Sequence, residues 1–198
     1  MSIILAYKKD DTIYMATDTR VVANEVKRED LSPSSFKIQA LDNGILVGVT
    51  GDRQLRQDIF AYSEIFTLDS NQKLTKRHIV TEIMPKLYEM LNAQDHLVVK
   101  EGDNPYIKAQ VVLAYKGELY EICCNLMVIK YESFLGIGKS EHSLATLLST
   151  KESDDINSRL IRALDITAKY NQGVGSPYVL IDTKSQCHTL VKEDRSKW

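Results

Sequence analysis

The hydrophobic period of this chain switches from strand-like to helix-like and back, twice, and that order admits few folds. Residues 3–8 are apolar and β-branched, and Asp10-Asp11 marks a turn. From 12 to 18, Ile13, Met15 and Thr17 alternate with Tyr14 and Ala16, so the chain is expected to begin with a β-hairpin. Residues 24–35 are polar, with Ser32-Pro33-Ser34 as punctuation, and read as a loop. Asn43-Gly44 between the apolar runs 36–41 and 45–49 signals a second hairpin. Leu55, Ile59, Tyr62 and Phe66 then recur every three or four residues, which predicts a helix over 52–66. Ile79, Ile83, Leu87, Met90 and Leu91 predict another over 75–93, in which Pro85 kinks the helix or delays its first good turn. Strands follow at 107–115, 118–123 and 127–131. Behind Gly136-Ile137-Gly138, Ser140 is a candidate cap for a helix carrying His142, Leu144, Ala145, Leu147 and Leu148. Ser153 or Asp154 is the candidate cap of a helix through Ile156, Leu160, Ala163, Leu164 and Ala168, ended by the glycines of 171–175. Runs 178–182 and 187–191 close the chain as a hairpin. The expected fold class is α+β: a four-layer αββα sandwich of two antiparallel sheets flanked by helix pairs, one domain over 1–198.

Composition excludes several functions. The 198 residues, 43% hydrophobic, can bury a full core without staples. A net charge of −2 creates no global field for nucleic acid or acidic membranes, and the ten tyrosines are too scattered to form a base-stacking platform. Three cysteines, no Cys-x-x-Cys pair and four dispersed histidines argue against zinc or a disulfide framework, so no cofactor or metal is implied. Cys123-Cys124 reads as sheet core. Gly136 to Ser140 lacks the spacing of a phosphate loop. No apolar run approaches the length of a membrane span, and the start of the chain has no basic lead before its short apolar stretch, so the expected location is the cytoplasm.

The first hairpin carries the chemistry. Antiparallel pairing brings the residue before the first strand, Ser2, to the end of the second, Asp18. Lys37 begins a later strand, expected in the same sheet, where a buried lysine and aspartate hold each other charged. The alternative is a lysine snorkelling from a strand edge. An α-amino group titrates near 7.7–8.0, so a serine at the first position of a processed chain carries its own base. A small second residue such as Ser2 favours removal of Met1. Gly51, between a strand and a helix, offers a backbone N–H to an oxyanion.

These residues, in this register, resemble the proteasome β subunits and their bacterial relatives, N-terminal-nucleophile hydrolases. Ser2-Ile-Ile-Leu-Ala-Tyr-Lys followed by Ala16-Thr17-Asp18-Thr19-Arg20 is similar to that family's nucleophile strand and Ala-Asp-Ser-Arg segment. Phe36-Lys37-Ile38 resembles its lysine strand, and Val49-Thr50-Gly51-Asp52 its oxyanion-hole turn. The resemblance implies Ser2, Asp18, Lys37 and Gly51 as catalytic residues, with Thr19, Arg20 and Thr50 lining the cleft. It also implies a peptide or protein substrate, a homo-oligomer of rings and an ATP-dependent unfoldase partner. The chain departs from the family at three points: serine replaces the nucleophilic threonine, Ile137 stands where the family has a serine, and Ala168 to Asn171 has no match to its aspartate. Ser176 is a candidate replacement for a nearby serine of the family. Those departures leave open an inactive structural or assembly subunit of the same fold.

Overall fold

Alternation along each strand sends apolar side chains to two different cores. The computed structural model describes residues 2–23, 26–29, 31–68, 72–99, 104–140, 143–144, 147 and 155–192. β1 (Ile3–Lys9) and β2 (Thr12–Asp18) form the expected first hairpin. A small separate hairpin follows, β3 (Arg20–Ala23) with β4 (Val26–Glu29). It replaces part of the loop expected at 24–35, where the polar composition masked a strand. The second hairpin is β5 (Ile38–Ala40) with β6 (Leu46–Gly51). β7 (Ala109–Tyr115), β8 (Glu118–Ile122) and β9 (Val128–Tyr131) extend it into a sheet of order β5-β6-β7-β8-β9. β10 (Phe134–Gly138), β11 (Tyr178–Asp182) and β12 (Thr189–Val191) join the first hairpin in a sheet of order β10-β1-β2-β11-β12. All described pairings within both sheets are antiparallel.

The sheets pack face to face. Ile4, Ala6, Ile13 and Met15 of one meet Ile38, Leu46, Val112 and Ala114 of the other. The neighbouring positions face outward: Ile3, Leu5 and Ala16 pack under one helix layer, and Val47, Val49, Val111 and Leu113 under the other. Fully burying a residue of this size stabilises by about 1.5–3 kcal/mol. A one-residue slip of register would exchange both sets, which pins the pairing.

The helices follow the periodicity. α1 (Arg53–Ala61) is capped by Asp52, whose carboxylate accepts from Leu55 N–H, and a 3-10 turn, Ser63–Ile65, completes the stretch. α2 begins at Lys76–His78, widens to a π-helix over Ile79–Ile83 and returns to α over Met84–Ala93. Pro85 is the second residue of that last segment, directly after the π-helical turn. α3 (Ile156–Tyr170) packs on β2 and β11 and is capped by Asp155, which accepts from Ser158 N–H. The candidate caps Ser153 and Asp154, with His142, Ala145 and Leu148, lie outside the described residues. Ser143, Leu144 and Leu147 are helical, and Leu144 N–H donates to the Ser140 carbonyl at 2.9 Å.

Candidate active site

The β1–β2 register pairs Ile4 with Thr17, so Ile3 comes opposite Asp18. Ile3 N–H donates to Asp18 Oδ1 at 3.3 Å, and the Thr17 hydroxyl donates to the Ile3 carbonyl at 2.6 Å. These bonds fix the strand directly after Ser2, which is itself buried. Lys37 Nζ donates to Asp18 Oδ1 at 2.6 Å and to the Arg20 carbonyl at 3.1 Å. At 3% exposure Lys37 does not snorkel from an edge.

Lys37, expected in the sheet of the first hairpin, does not belong to it. It directly precedes β5, and its carbonyl accepts from Val49 N–H of β6 at 2.8 Å. The Asp18–Lys37 pair therefore ties one sheet to the other. Local hydrophobic pattern marks Lys37 as a strand residue but cannot say which sheet receives it.

Burial works against charge on both partners. It raises the Asp18 carboxyl and lowers the Lys37 ammonium, while their mutual attraction opposes both shifts. The Arg56 and Arg20 guanidiniums push Lys37 further down. Asp18 Oδ2 is buried with no hydrogen-bond partner among the described residues.

Ser2, Thr50 and Gly51 border a common open cleft of 430 Å³, which Gln110, Cys124 and Lys139 also line. Gly51 has φ of +109°, and a Cβ there would lie 2.1 Å from the Lys108 carbonyl oxygen, so only glycine fits. Gly138 has φ of +74°, and a Cβ would meet the Ser2 carbonyl oxygen at 2.1 Å. Thr19 and Arg20, expected in the cleft, are not part of its lining. The Thr19 hydroxyl donates to the Pro177 carbonyl at 2.9 Å, and Arg20 donates to the Val174 carbonyl at 2.8 Å. Both hold the turn that leads from α3 to β11.

Sequence reasoning missed a polar chain behind the cleft. Tyr131 donates its hydroxyl to Glu121 at 2.8 Å, and Gln110 donates its amide to the same carboxylate at 2.8 Å. That contact orients Gln110 so that its Oε1 accepts from Gly138 N–H at 3.1 Å. The next residue, Lys139, donates its N–H to the Ser2 carbonyl at 3.0 Å. The available signal was Glu121 itself, a carboxylate within the apolar run of β8. Cys123 and Cys124 are not sheet core. They stand in the turn after β8, Cys123 half-buried and Cys124 exposed. Burial and the Glu121 carboxylate push the Cys123 thiol up to about 11. Ile137 pairs with Ile4 and is buried between the sheets, Lys169 is exposed, and Ser176 is half-buried beyond α3.

Neither a family model nor a curated protein matches the sequence. Solved structures match it over nearly its whole length. BPH from Thiobacillus denitrificans superposes with a TM-score of 0.72 at 18% identity, covering 91% of this chain and 96% of its own. The fold is that of the proteasome-like N-terminal-nucleophile hydrolases. Anbu from Pseudomonas aeruginosa, solved as a helical assembly, matches with a TM-score of 0.67 at 18% identity, over 98% of this chain and 88% of that one. HslV from Trypanosoma brucei matches with a TM-score of 0.62 at 14% identity, over 91% and 98%. BPH is also solved in complex with epoxomicin. In the proteasome-like fold of this chain, Ser2 directly precedes β1, Asp18 ends β2 and Gly51 ends β6.

Proposed function

We propose that this chain is an N-terminal-nucleophile amide-bond hydrolase, a proteasome-like peptidase that uses Ser2 after removal of Met1. The observation that carries the reading is the buried Asp18–Lys37 pair, held against the first residues of β1. Ser2 Oγ attacks the substrate carbonyl while its own α-amine takes the proton. Lys37, held by Asp18, lowers the pKa of that amine and polarises the hydroxyl. The Gly51 N–H receives the oxyanion, and Thr50 lines the cleft. The amine returns the proton to the leaving nitrogen as the C–N bond breaks. Water then hydrolyses the ester on Ser2. Thr19 and Arg20 serve the site by holding the 172–177 turn. No metal enters this scheme, and no group of metal ligands occurs among the described residues.

The reading extends to one domain over 1–198, a cytoplasmic location, self-assembly and an unfoldase partner. The helical assembly of an Anbu supports self-assembly. No helix among the described residues is long and apolar enough to cross a membrane.

Hydrolysis of a fluorogenic peptide panel by the untagged chain tests the proposal. Ser2→Ala is expected to lower kcat/KM by at least about a thousandfold. Undiminished cleavage by that variant contradicts it. A second reading, a non-catalytic subunit, draws on Ile137, which fills the inter-sheet core where the related family carries a serine. It predicts a retained Met1 and no cleavage by either chain.

A further inference from the structure

The nucleophile and the oxyanion donor of the proposed reaction stand in different sheets. Ser2 directly precedes β1, which lies between β10 and β2, and Gly51 ends β6, which lies between β5 and β7. Side-chain bonds tie the two sheets together on either side of this pair. On one side Asp18, at the end of β2, accepts from Lys37, directly before β5. On the other, Gln110 of β7 reaches across to β10, where its Oε1 accepts from the Gly138 N–H at 3.1 Å. Gln110 borders the same cleft as Ser2 and Gly51, and it pairs with Thr50, the residue before Gly51. Gly138 pairs with Ile3, the residue after Ser2, and the N–H of Lys139 donates to the Ser2 carbonyl.

A glutamine amide at the rim of a cleft can turn over, and only one orientation works here. The Gly138 N–H only donates and the Glu121 carboxylate only accepts, so Oε1 must face Gly138 and Nε2 must face Glu121. The reversed amide would set N–H against N–H. Glu121 is 5% exposed, and the Gln110 amide, the Tyr131 hydroxyl and the Cys123 thiol around it are all neutral donors. Burying a carboxylate without a cation is costly, and an apolar residue at this place in β8 would avoid that cost. What the carboxylate supplies is an acceptor of fixed polarity behind Gln110.

Given Ser2 as the nucleophile, we infer that Gln110, oriented by Glu121, is a positioning residue that sets the separation of Ser2 from Gly51. It works on the side of β1 away from the Asp18–Lys37 pair, so the two links together clamp the spacing of the sheets at the site. Its bond acts through Gly138 and the Lys139 N–H on the backbone of Ser2. Loss of that bond lets the nucleophile drift from the oxyanion donor, and a misplacement of about 1 Å costs about a hundredfold in rate. The loss belongs to the chemical step, so it falls on kcat and spares KM.

Peptide cleavage and amide hydrogen exchange, both on full-length chains, test this. Gln110→Met keeps the length of the side chain and removes both of its bonds. It is expected to lower kcat per folded molecule about a hundredfold, with KM within about twofold of the parent. Exchange of the Lys139 amide is expected to speed up about tenfold, while the Val179 amide of β11 keeps its parent rate. Gln110→Glu sets two carboxylates against each other and is expected to lose as much activity. Adding Glu121→Gln to it rebuilds the network with the roles exchanged. The amide placed at position 121 donates to the carboxylate placed at 110 and accepts from Tyr131, and that carboxylate accepts from Gly138. The double exchange is expected to recover kcat to within about tenfold of the parent. Parent-like kcat or parent-like Lys139 exchange in Gln110→Met, a loss that falls on KM instead, or a double exchange no better than Gln110→Glu overturns the inference. Where Gln110→Met fails to fold, the double exchange decides. A parent with no Ser2-dependent cleavage, whose Lys139 exchange still rises in Gln110→Met, overturns the catalytic reading alone.

Discussion

At the scale of single residues, the site rests on one buried ion pair and the bonds around it. Removing one partner of such a pair costs about 3–5 kcal/mol, because the other is left buried and uncompensated. Asp18→Asn has a second consequence. Asp18 is what holds the Lys37 ammonium up against burial, so its loss lowers Lys37 further. Lys37 assists only while charged, and activity therefore falls as pH rises through its pKa. The pH profile of kcat/KM is expected to show an alkaline limb below the ordinary lysine value of 10.5, shifted to still lower pH in Asp18→Asn. An alkaline limb that does not move contradicts this role for Lys37. The approach of Asp18 to the start of β1 was legible in the sequence because antiparallel register sets which strand ends meet, whereas the sheet that receives Lys37 was not. Gln110 and Glu121 were not, because hydrogen bonds between side chains of adjacent strands leave no periodic trace.

At the scale of elements, periodicity marked most helices and strands, and the failures have local causes. β10 was hidden because two glycines within five residues break its apolar pattern, yet Gly136 and Gly138 are strand residues paired with β1. β4 was hidden by its charged residues. The hydrophobic spacing of α2 was visible, but its π-helical segment was not, since the widened turn keeps Ile79 and Ile83 buried. The turn after β11 depends on Asp182. Its carboxylate accepts from the N–H groups of Lys184 and Ser185, each at 2.8 Å, and from the Ser185 hydroxyl at 2.8 Å. Partial burial opposes the charge, but these donors outweigh it and hold the carboxyl below its ordinary 3.8. A carboxyl depressed by folding stabilises above 3.8, and that contribution fades as pH falls through the lower folded value. Asp182→Ala is expected to cost about 1 kcal/mol at neutral pH in urea unfolding, with the difference from the parent shrinking in strong acid. A difference that stays constant or grows on acidification contradicts the assignment.

At the scale of the molecule, three cores stack in the order helix, sheet, sheet, helix, and the double change of hydrophobic period announced that order. The pairing of sheets was not announced. That β5, directly after Lys37, joins the sheet opposite β2 follows from long-range packing, which brings Ile38 against Ile4 and Met15 across the interface. The whole account turns on whether the chain ends in a free Ser2. Intact-mass spectrometry of the untagged protein, before and after exposure to epoxomicin, measures this directly. The account predicts a mass lacking one methionine and a single inhibitor adduct that Ser2→Ala does not acquire. A full-length mass with Met1 in place, or an adduct that survives in Ser2→Ala, contradicts it.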